Sequence, residues 1–280
     1  MNRVRFGLVF ATLIWSAIGW GQTPSSQNGS VHATELTDMS EGGTLYDDFN
    51  SPWLDPAKWQ IGTPQCWVTL ECIREIQNGQ LRLAVRVFGA TNSDSGIGWS
   101  APEVRFINPN VKSIKADVTA HSFSGIGCAT NNTDYTHTEI RLWGTFFNIG
   151  TGNAADDVTA FLLIWVDTFN PQTMSVVLWW GYNWGSGQGF AYPVASYPFG
   201  TPLTLSLKWD EDNHQFIARS KPRFGESPGK QIAVPYNVSA TTPSTSPSRG
   251  MDVSTNSLNC TSGRTYAQVE PKFDNVIVNW

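Results

Sequence analysis

Apolar and polar residues alternate along much of this chain with a period of two, which is typical of β-strands that bury one face. Segment 80–88 shows this pattern most clearly. Its apolar positions are Leu81, Leu83, Val85 and Val87. Just before them stands Asn78-Gly79, and Asn-Gly favours a tight hairpin turn because both residues readily take positive φ. The pattern therefore predicts a β-hairpin over residues 75–88.

Three longer strands are predicted in the middle of the chain, over residues 138–148, 158–167 and 174–182. The second is apolar on both faces, as expected of a central strand covered on both sides. Shorter strands are predicted at 104–107, 111–123, 203–210, 214–220, 266–269 and 273–279. Segments 183–200 and 237–261 are interpreted as loops because they are rich in Gly, Pro, Ser or Thr. The whole pattern predicts an all-β fold, a sandwich or a barrel.

The N-terminus has the composition of a signal peptide over residues 1–21. Arg3 and Arg5 give it a basic start, and residues 6–18 form an apolar segment that is short for a membrane span. An uncleaved N-terminal anchor is the alternative. Residues 22–43 predict a flexible leader, which places one domain at 44–280. We expect a secreted protein, extracellular or periplasmic, without a membrane span once the signal has been removed.

The cysteines fit this expectation of export. There are four, Cys66, Cys72, Cys128 and Cys260, and an even count in an oxidising compartment favours two disulfides. Three connectivities are possible. The pairing Cys66–Cys72 with Cys128–Cys260 is favoured, since the first closes a short local loop. Metal ligation is the alternative, and no CxxC pair or neighbouring His supports it.

Composition and charge narrow the range of partners. The chain is 40% hydrophobic and 15% charged, with 13 Trp and 15 Phe, which favours strands and a large core. The formal net charge is −5 and no basic patch is visible. Nucleic acid is therefore not expected as a partner.

The two ends of the domain carry the most specific motifs. Residues 46–59 read YDDFNSPWLDPAKW, and residues 272–280 read KFDNVIVNW. The predicted apolar anchors of the first motif are Phe49, Trp53, Leu54 and Trp59. Together the motifs resemble the concanavalin A-like lectin/glucanase (laminin-G-like) jelly rolls. The resemblance implies an antiparallel β-sandwich whose first and last strands lie side by side.

The same resemblance implies a structural calcium ion where the two ends meet. Asp48 and Asp274, with Asp47, would supply carboxylate oxygens, which Ca²⁺ prefers. The alternative is that these aspartates cap turns, since Ca²⁺ needs six to eight oxygens and only three carboxylates can be named. No other cofactor is expected.

The first candidate for chemistry is the strand around Glu139. His137, Glu139, Arg141 and Trp143 occupy alternate positions and so share one face of that strand. A polar row that ends in Trp suits glycan binding on a concave sheet. The alternative is a Glu–Arg pair with a satisfied histidine on an ordinary sheet face.

Aromatic residues crowd the segment that follows the third long strand. Trp179 and Trp184 are the predicted ligand-binding residues there, because the flat indole can stack on a sugar ring. Trp179 and Trp180 are adjacent in one strand and must face opposite sides. Most of the remaining aromatics are expected to pack in the core.

Three function classes remain from the sequence. The leading one is non-catalytic binding of a glycan or other extracellular polymer. The second is a glycoside hydrolase or polysaccharide lyase that uses Glu139, with Glu103 or Asp167 as second carboxylate. The E-x-D-x-x-E strand of the family's glucanases is missing, because Arg141 stands where Asp is expected. The third is a structural or adhesive surface module.

Overall fold

The computed structural model of the chain describes residues 32–36, 42–61, 70–91, 97–100, 102–129, 136–182, 188–225 and 227–279. The predicted signal peptide and most of the predicted leader lie outside the described residues, as do Cys66 and Trp184. The strand His32–Leu36 lies within the predicted leader. The proposed boundaries of signal, leader and domain stay predictions.

Almost all regular structure in the described residues is β-strand, with one short 3₁₀ helix at Ala154–Asp156. In chain order the strands are β1 (His32–Leu36), β2 (Thr44–Asp47), β3 (Trp59–Ile61), β4 (Leu70–Gln77), β5 (Gln80–Phe88), β6 (Ile97–Ser100), β7 (Glu103–Phe106), β8 (Ser113–Ile126), β9 (His137–Asn148), β10 (Asp157–Asp167), β11 (Thr173–Tyr182), β12 (Gln188–Pro198), β13 (Leu203–Asp210), β14 (Gln215–Pro222), β15 (Gly229–Pro235), β16 (Thr242–Leu258) and β17 (Tyr266–Val278).

These strands form two antiparallel sheets. Among the described residues the first sheet has nine strands, in the order β1-β15-β14-β13-β8-β17-β5-β4, with β2 also paired to β17. The second has eight, in the order β12-β11-β10-β9-β16-β7-β3, with β6 also paired to β16. The fold is thus the all-β, antiparallel sandwich that the sequence predicts.

The hydrophobic core lies between the two sheets and explains why the strands alternate. Side chains that face it include Ile140, Leu142 and Leu162 from the second sheet and Leu205 and Phe216 from the first. All five are at most 1% exposed. Burying a side chain of this size contributes about 1.5–3 kcal/mol, so the core holds the sheets together.

The predicted hairpin is confirmed. β4 and β5 pair in the register Gln77↔Gln80, and the turn residues Asn78 and Gly79 have φ of 54° and 71°. Positive φ at both positions is what the Asn-Gly pair allows. The central position of β10, between β9 and β11, is also confirmed.

The two long loop predictions are wrong. Segment 237–261 contains β16, a 17-residue strand in the middle of the second sheet, and segment 183–200 contains β12. Thr and Val favour strands, and pairing along both edges of β16 overrides the turn tendency of its Ser and Pro residues. The two strands predicted at the end of the chain are one strand, β17, with a register shift at Pro271.

The opening and closing motifs lie side by side, as the jelly-roll resemblance implies. Thr44 pairs with Val278, and Asp47 pairs with Val276. Asp47 also binds the opening turn, because its carboxylate accepts hydrogen bonds from Trp59 Nε1 at 2.7 Å and from the Phe49 amide at 2.9 Å.

Three of the four predicted anchors in this motif pack as expected. Phe49 and Trp59 are fully buried, and Leu54 is partly buried against the core. Trp53 is 78% exposed, so its assignment as an anchor is wrong. It lies in the turn between β2 and β3, where the chain turns away from the core.

The disulfide Cys128–Cys260 is confirmed, with a Cα–Cα distance of 5.5 Å. It joins the end of β8 to the segment after β16 and so connects the two sheets. Cys72 is also disulfide-bonded. Its predicted partner, Cys66, lies outside the described residues.

No helix in the described ranges is both long and apolar enough to cross a membrane.

Candidate functional site on the outer face of the second sheet

The four predicted residues of β9 do share one face, and it is the outer face of the second sheet. His137, Glu139, Arg141 and Trp143 point away from the core, while Ile140 and Leu142 between them point into it. Each of these residues is at most 8% exposed. The outer face of this strand is therefore nearly as buried as the inner face.

Strand register brings two further carboxylates to the same face. Arg141 lies directly opposite Asp252 on β16, and Asp252 lies directly opposite Glu103 on β7. Directly opposed residues in antiparallel strands have their Cβ atoms about 4.5–5.5 Å apart. We define the charged cluster as Glu103, Arg105, His137, Glu139, Arg141 and Asp252.

Arg141 is the centre of the charged cluster. Its Nε and Nη2 donate to the two carboxylate oxygens of Asp252, both at 2.6 Å, and its Nη1 lies 3.3 Å from Glu139 Oε2. Such a two-point contact fixes the planar guanidinium in place. At the edge of the cluster, Arg105 Nη2 lies 2.6 Å from Glu103 Oε1.

His137 completes the contacts of Glu139. Its Nε2 lies 3.3 Å from Glu139 Oε1 and 2.9 Å from Asn256 Nδ2. The ring stacks on Trp165, with centroids 3.6 Å apart and planes at 19°. Both oxygens of Glu139 are thus engaged, and its side chain is 7% exposed.

The surroundings in the cluster shift the pKa values of its carboxyl groups in opposite directions. Burial raises the pKa of Glu139, but the hydrogen bond with His137 and the charge of Arg141 outweigh burial, so the pKa lies below the ordinary value. Burial raises the pKa of Glu103 above its ordinary value, although Arg105 opposes this rise. Burial likewise raises the pKa of Asp252 against the opposing charge of Arg141.

Apolar side chains lie beside the charges on the same face. The aromatic floor, as we call it, consists of Trp143, Phe161, Leu163, Trp165, Val177 and Trp179. The register explains it, because Trp143 lies opposite Phe161, and Phe161 lies opposite Trp179. Arg141 lies over the Phe161 ring at 4.9 Å, which links the aromatic floor to the charged cluster.

Trp179 lies over two glycines at the far side of the aromatic floor. A Cβ atom on Gly189 would lie 2.5 Å from Trp179 Cζ2, and one on Gly181 would lie 2.6 Å from its Cη2. The indole can rest on the backbone only because neither residue has a side chain. Trp143 lies over Gly250 in a similar way, with its Nε1 3.2 Å from a Cβ placed there.

Trp180 and Asp167 take different positions relative to this face. Trp180 is fully buried in the core, so it and Trp179 do face opposite sides. Asp167 lies directly opposite His137 and so shares the outer face, and its carboxylate accepts hydrogen bonds from Trp165 Nε1 at 3.1 Å and from the turn amide of Phe169 at 2.8 Å. Trp184 lies outside the described residues.

Asp252, Arg105 and Trp165 lie on this face, but the sequence predicted none of them as site residues. Asp252 lies in a segment that was interpreted as a loop, so no face was assigned to it. The signal was present, because Met251 and Val253 alternate with Asp252 and Ser254 at the strand period.

The predicted calcium site has no ligand set in the part of the chain that the structure describes. No group of three or more His, Cys, Asp or Glu residues there could hold a metal ion. The Asp48 carboxylate accepts hydrogen bonds from the Asn50 amide and side chain, and Asp274 accepts one from the Asn275 amide. Asp48 therefore acts in the opening turn, whereas Asp274 lies at a register shift inside β17, and the calcium ion stays a prediction.

Comparison with known proteins gives a likeness in fold. No family model and no curated protein sequence matches the chain. Among solved structures, a prokaryotic β-1,3-1,4-glucanase (lichenase) from a mouse hindgut metagenome is 9% identical, with a TM-score of 0.36, covering 84% of this chain and 98% of its own.

Two other solved structures are similar in the same way. The PL-14 alginate lyase of Aplysia kurodai is 13% identical, with a TM-score of 0.38 over 75% of this chain and 87% of its own. The winged bean acidic lectin bound to methyl-α-D-galactose is 11% identical, with a TM-score of 0.35 over 90% of this chain and 100% of its own. These likenesses concern the arrangement of strands.

Proposed function

We propose that this protein is a secreted module that binds a glycan, without catalysis, on the outer face of its second sheet. The observation that carries the proposal is the position of Trp179. Its indole lies against the backbone of Gly181 and Gly189 and is partly exposed. The exposed part of the indole is suited to contact a pyranose ring, as aromatic side chains with an apolar face do.

The surroundings of Trp179 support this proposal. Sugars present both C–H faces and hydroxyl groups, and small-molecule sites combine apolar walls with a few fixed polar groups. The aromatic floor supplies the apolar part. Glu103 and Arg105, the more exposed members of the charged cluster, supply polar groups, with side chains 15% and 39% exposed.

The sequence predicts that Glu139 contacts the ligand, whereas the present proposal gives it the role of holding other residues in place. Both of its oxygens are engaged by His137 and Arg141. It therefore acts as a positioning residue that fixes Arg141 and His137, and Trp165 and Trp179 are the proposed contacts for sugar rings.

The test is a binding assay on a polysaccharide panel with two variants that act on one indole. Trp179→Ala removes the ring, and Gly189→Ala displaces it, since the three atoms nearest to a Cβ at Gly189 all belong to Trp179. We expect each to weaken glycan binding about tenfold, which corresponds to about 1.4 kcal/mol. The matched control is Gly263→Ala, where a Cβ meets nothing within 4 Å. Equal affinity of all three variants and the wild type would overturn the proposal.

A glycoside hydrolase or polysaccharide lyase is the second candidate, favoured by the opposite pKa shifts of Glu139 and Glu103. Carboxyl groups pushed apart in pKa are how acid and base roles are divided in many enzymes. The same panel is incubated and assayed for released reducing sugar and for unsaturated ends. Turnover by the wild type that Glu139→Gln and Glu103→Gln both abolish would replace the binding proposal with the enzymatic one.

A further inference from the structure

The two guanidinium groups of the charged cluster are both held by carboxylates. Arg141 contacts Asp252 at 2.6 Å and Glu139 at 3.3 Å, and it is nearly fully buried. Arg105, the more accessible of the two, contacts Glu103 at 2.6 Å. A ligand that reaches this end of the face therefore meets Arg105 already paired.

The formal charges of the charged cluster do not sum to a positive value. The charged cluster contains three carboxylates and two guanidinium groups. A uronate or sulfate group that approached Arg105 would also approach Glu103, and like charges repel strongly where the surroundings are partly buried. An uncharged sugar hydroxyl meets no such repulsion, and it can donate a hydrogen bond to Glu103 or accept one from Arg105.

We propose that Glu103 is a specificity-determining residue that makes this face select uncharged glycans over anionic ones, by neutralising Arg105. The inference rests on the proposed function of the same face. The excluded class comprises polyuronates and sulfated polysaccharides.

The experiment compares affinities for neutral and anionic polymers. The wild type, Glu103→Gln and Glu35→Gln are run in affinity electrophoresis on gels that contain mixed-linkage β-glucan, galactomannan, alginate or polygalacturonate, at low and at physiological salt. Glu35 on β1 pairs with Lys230 at 2.5 Å, at the end of the first sheet opposite to β4, so its variant makes the same change in net charge at a remote ion pair. The quantity measured is the ratio of anionic to neutral affinity.

We expect the wild type to bind at least one neutral polymer at least tenfold more tightly than either anionic polymer. Glu103→Gln is expected to raise the ratio at least tenfold, and more at low salt, because screening weakens the attraction of Arg105 for anions. Glu35→Gln is expected to leave the ratio within about twofold of the wild type, since an exposed pair far from the site contributes little.

Each contrary outcome has a distinct meaning. Preferred binding of alginate or polygalacturonate by the wild type overturns the selectivity and leaves glycan binding intact. An equal rise in the ratio for both variants assigns it to bulk charge and also overturns the inference. Absence of binding to every polymer removes the proposed function, and the inference with it.

Discussion

The two faces of β9 are buried to a similar degree but by opposite chemistry. On the inner face, Ile140 and Leu142 pack in the core. On the outer face, Glu139 and Arg141 are at most 7% exposed and lie among ions and aromatic rings. Burial of the first pair stabilises the fold, whereas burial of the second costs desolvation energy that the ion pairs only offset.

This contrast shows that burial alone does not distinguish residues of the core from residues of the candidate site. A buried ion pair is weak evidence for stability, because apolar residues of similar volume often serve as well or better. We infer that the charged cluster is retained for what it does at the outer face. Three sets of variants test this difference between the inner and outer faces of β9.

The largest expected effect is that of Arg141→Ala. It leaves Asp252 and Glu139 buried without their partner, and loss of one partner from a buried pair costs about 3–5 kcal/mol of unfolding free energy. Leu142→Ala on the inner face is the matched variant, with an expected cost of about 3 kcal/mol from lost burial and a cavity. Urea denaturation measures both.

Glycan binding separates the two faces further. Leu142→Ala should retain binding under conditions where it is folded, while Arg141→Ala should lose it. A cost below about 1 kcal/mol for Arg141→Ala would mean that the ion pairs are open to water, and the contrast between the faces would fail.

An intermediate effect is expected when the charges are removed together. The triple variant Glu139→Gln, Arg141→Met and Asp252→Leu leaves no charge without its partner. We expect its unfolding free energy to be the same as that of the wild type or higher by about 1–2 kcal/mol. Its glycan affinity is expected to fall. Thermal melting and the polysaccharide panel measure the two quantities. A triple variant as unstable as Arg141→Ala would show that the cluster holds the fold together.

The smallest effect is in the pH dependence of stability. Glu139 has its folded pKa below the ordinary 4.5, so it adds stability above that pH, and this is lost on acidification through the folded pKa. Glu103 has its folded pKa above 4.5, so its ionisation costs stability as pH rises from 4.5 through the folded pKa.

Two conservative variants test these signs by urea denaturation over a pH series. The stability advantage of the wild type over Glu139→Gln should shrink on acidification below pH 4.5. Relative to the wild type, Glu103→Gln should gain stability as pH rises above 4.5. Curves that change in the same direction for both variants would contradict the opposite shifts.

Much of the fold could be predicted from local pattern. The strand period gave the hairpin at Asn78-Gly79, the central strand β10 and the shared face of His137 to Trp143, because each depends on neighbouring residues alone. The family resemblance implied that the first and last strands of the domain lie side by side, and the pairing of Thr44 with Val278 confirms this arrangement.

The remainder depends on pairing between distant strands. β16 carries Ser, Thr and Pro residues that locally favour turns, and its strand conformation comes from hydrogen bonding to β9 and β7. For the same reason the contact of Arg141 with Asp252, 111 residues later, could not be predicted from sequence. Strand order decides which charges meet, and one sequence carries little information on strand order.

The positions of β16 and β17 also determine when this chain can fold. Each lies inside a sheet: β16 between β9 and β7, and β17 between β8 and β5. Neither sheet can form all of its strand pairs until β16 and β17 have been synthesised. Until then, the strands that flank them in the sheets keep unpaired edges. Pairing between residues far apart in sequence is slow to form. The domain is therefore expected to fold only once β17 has been synthesised, in one late step, and to depend until then on whatever keeps its edges from aggregating.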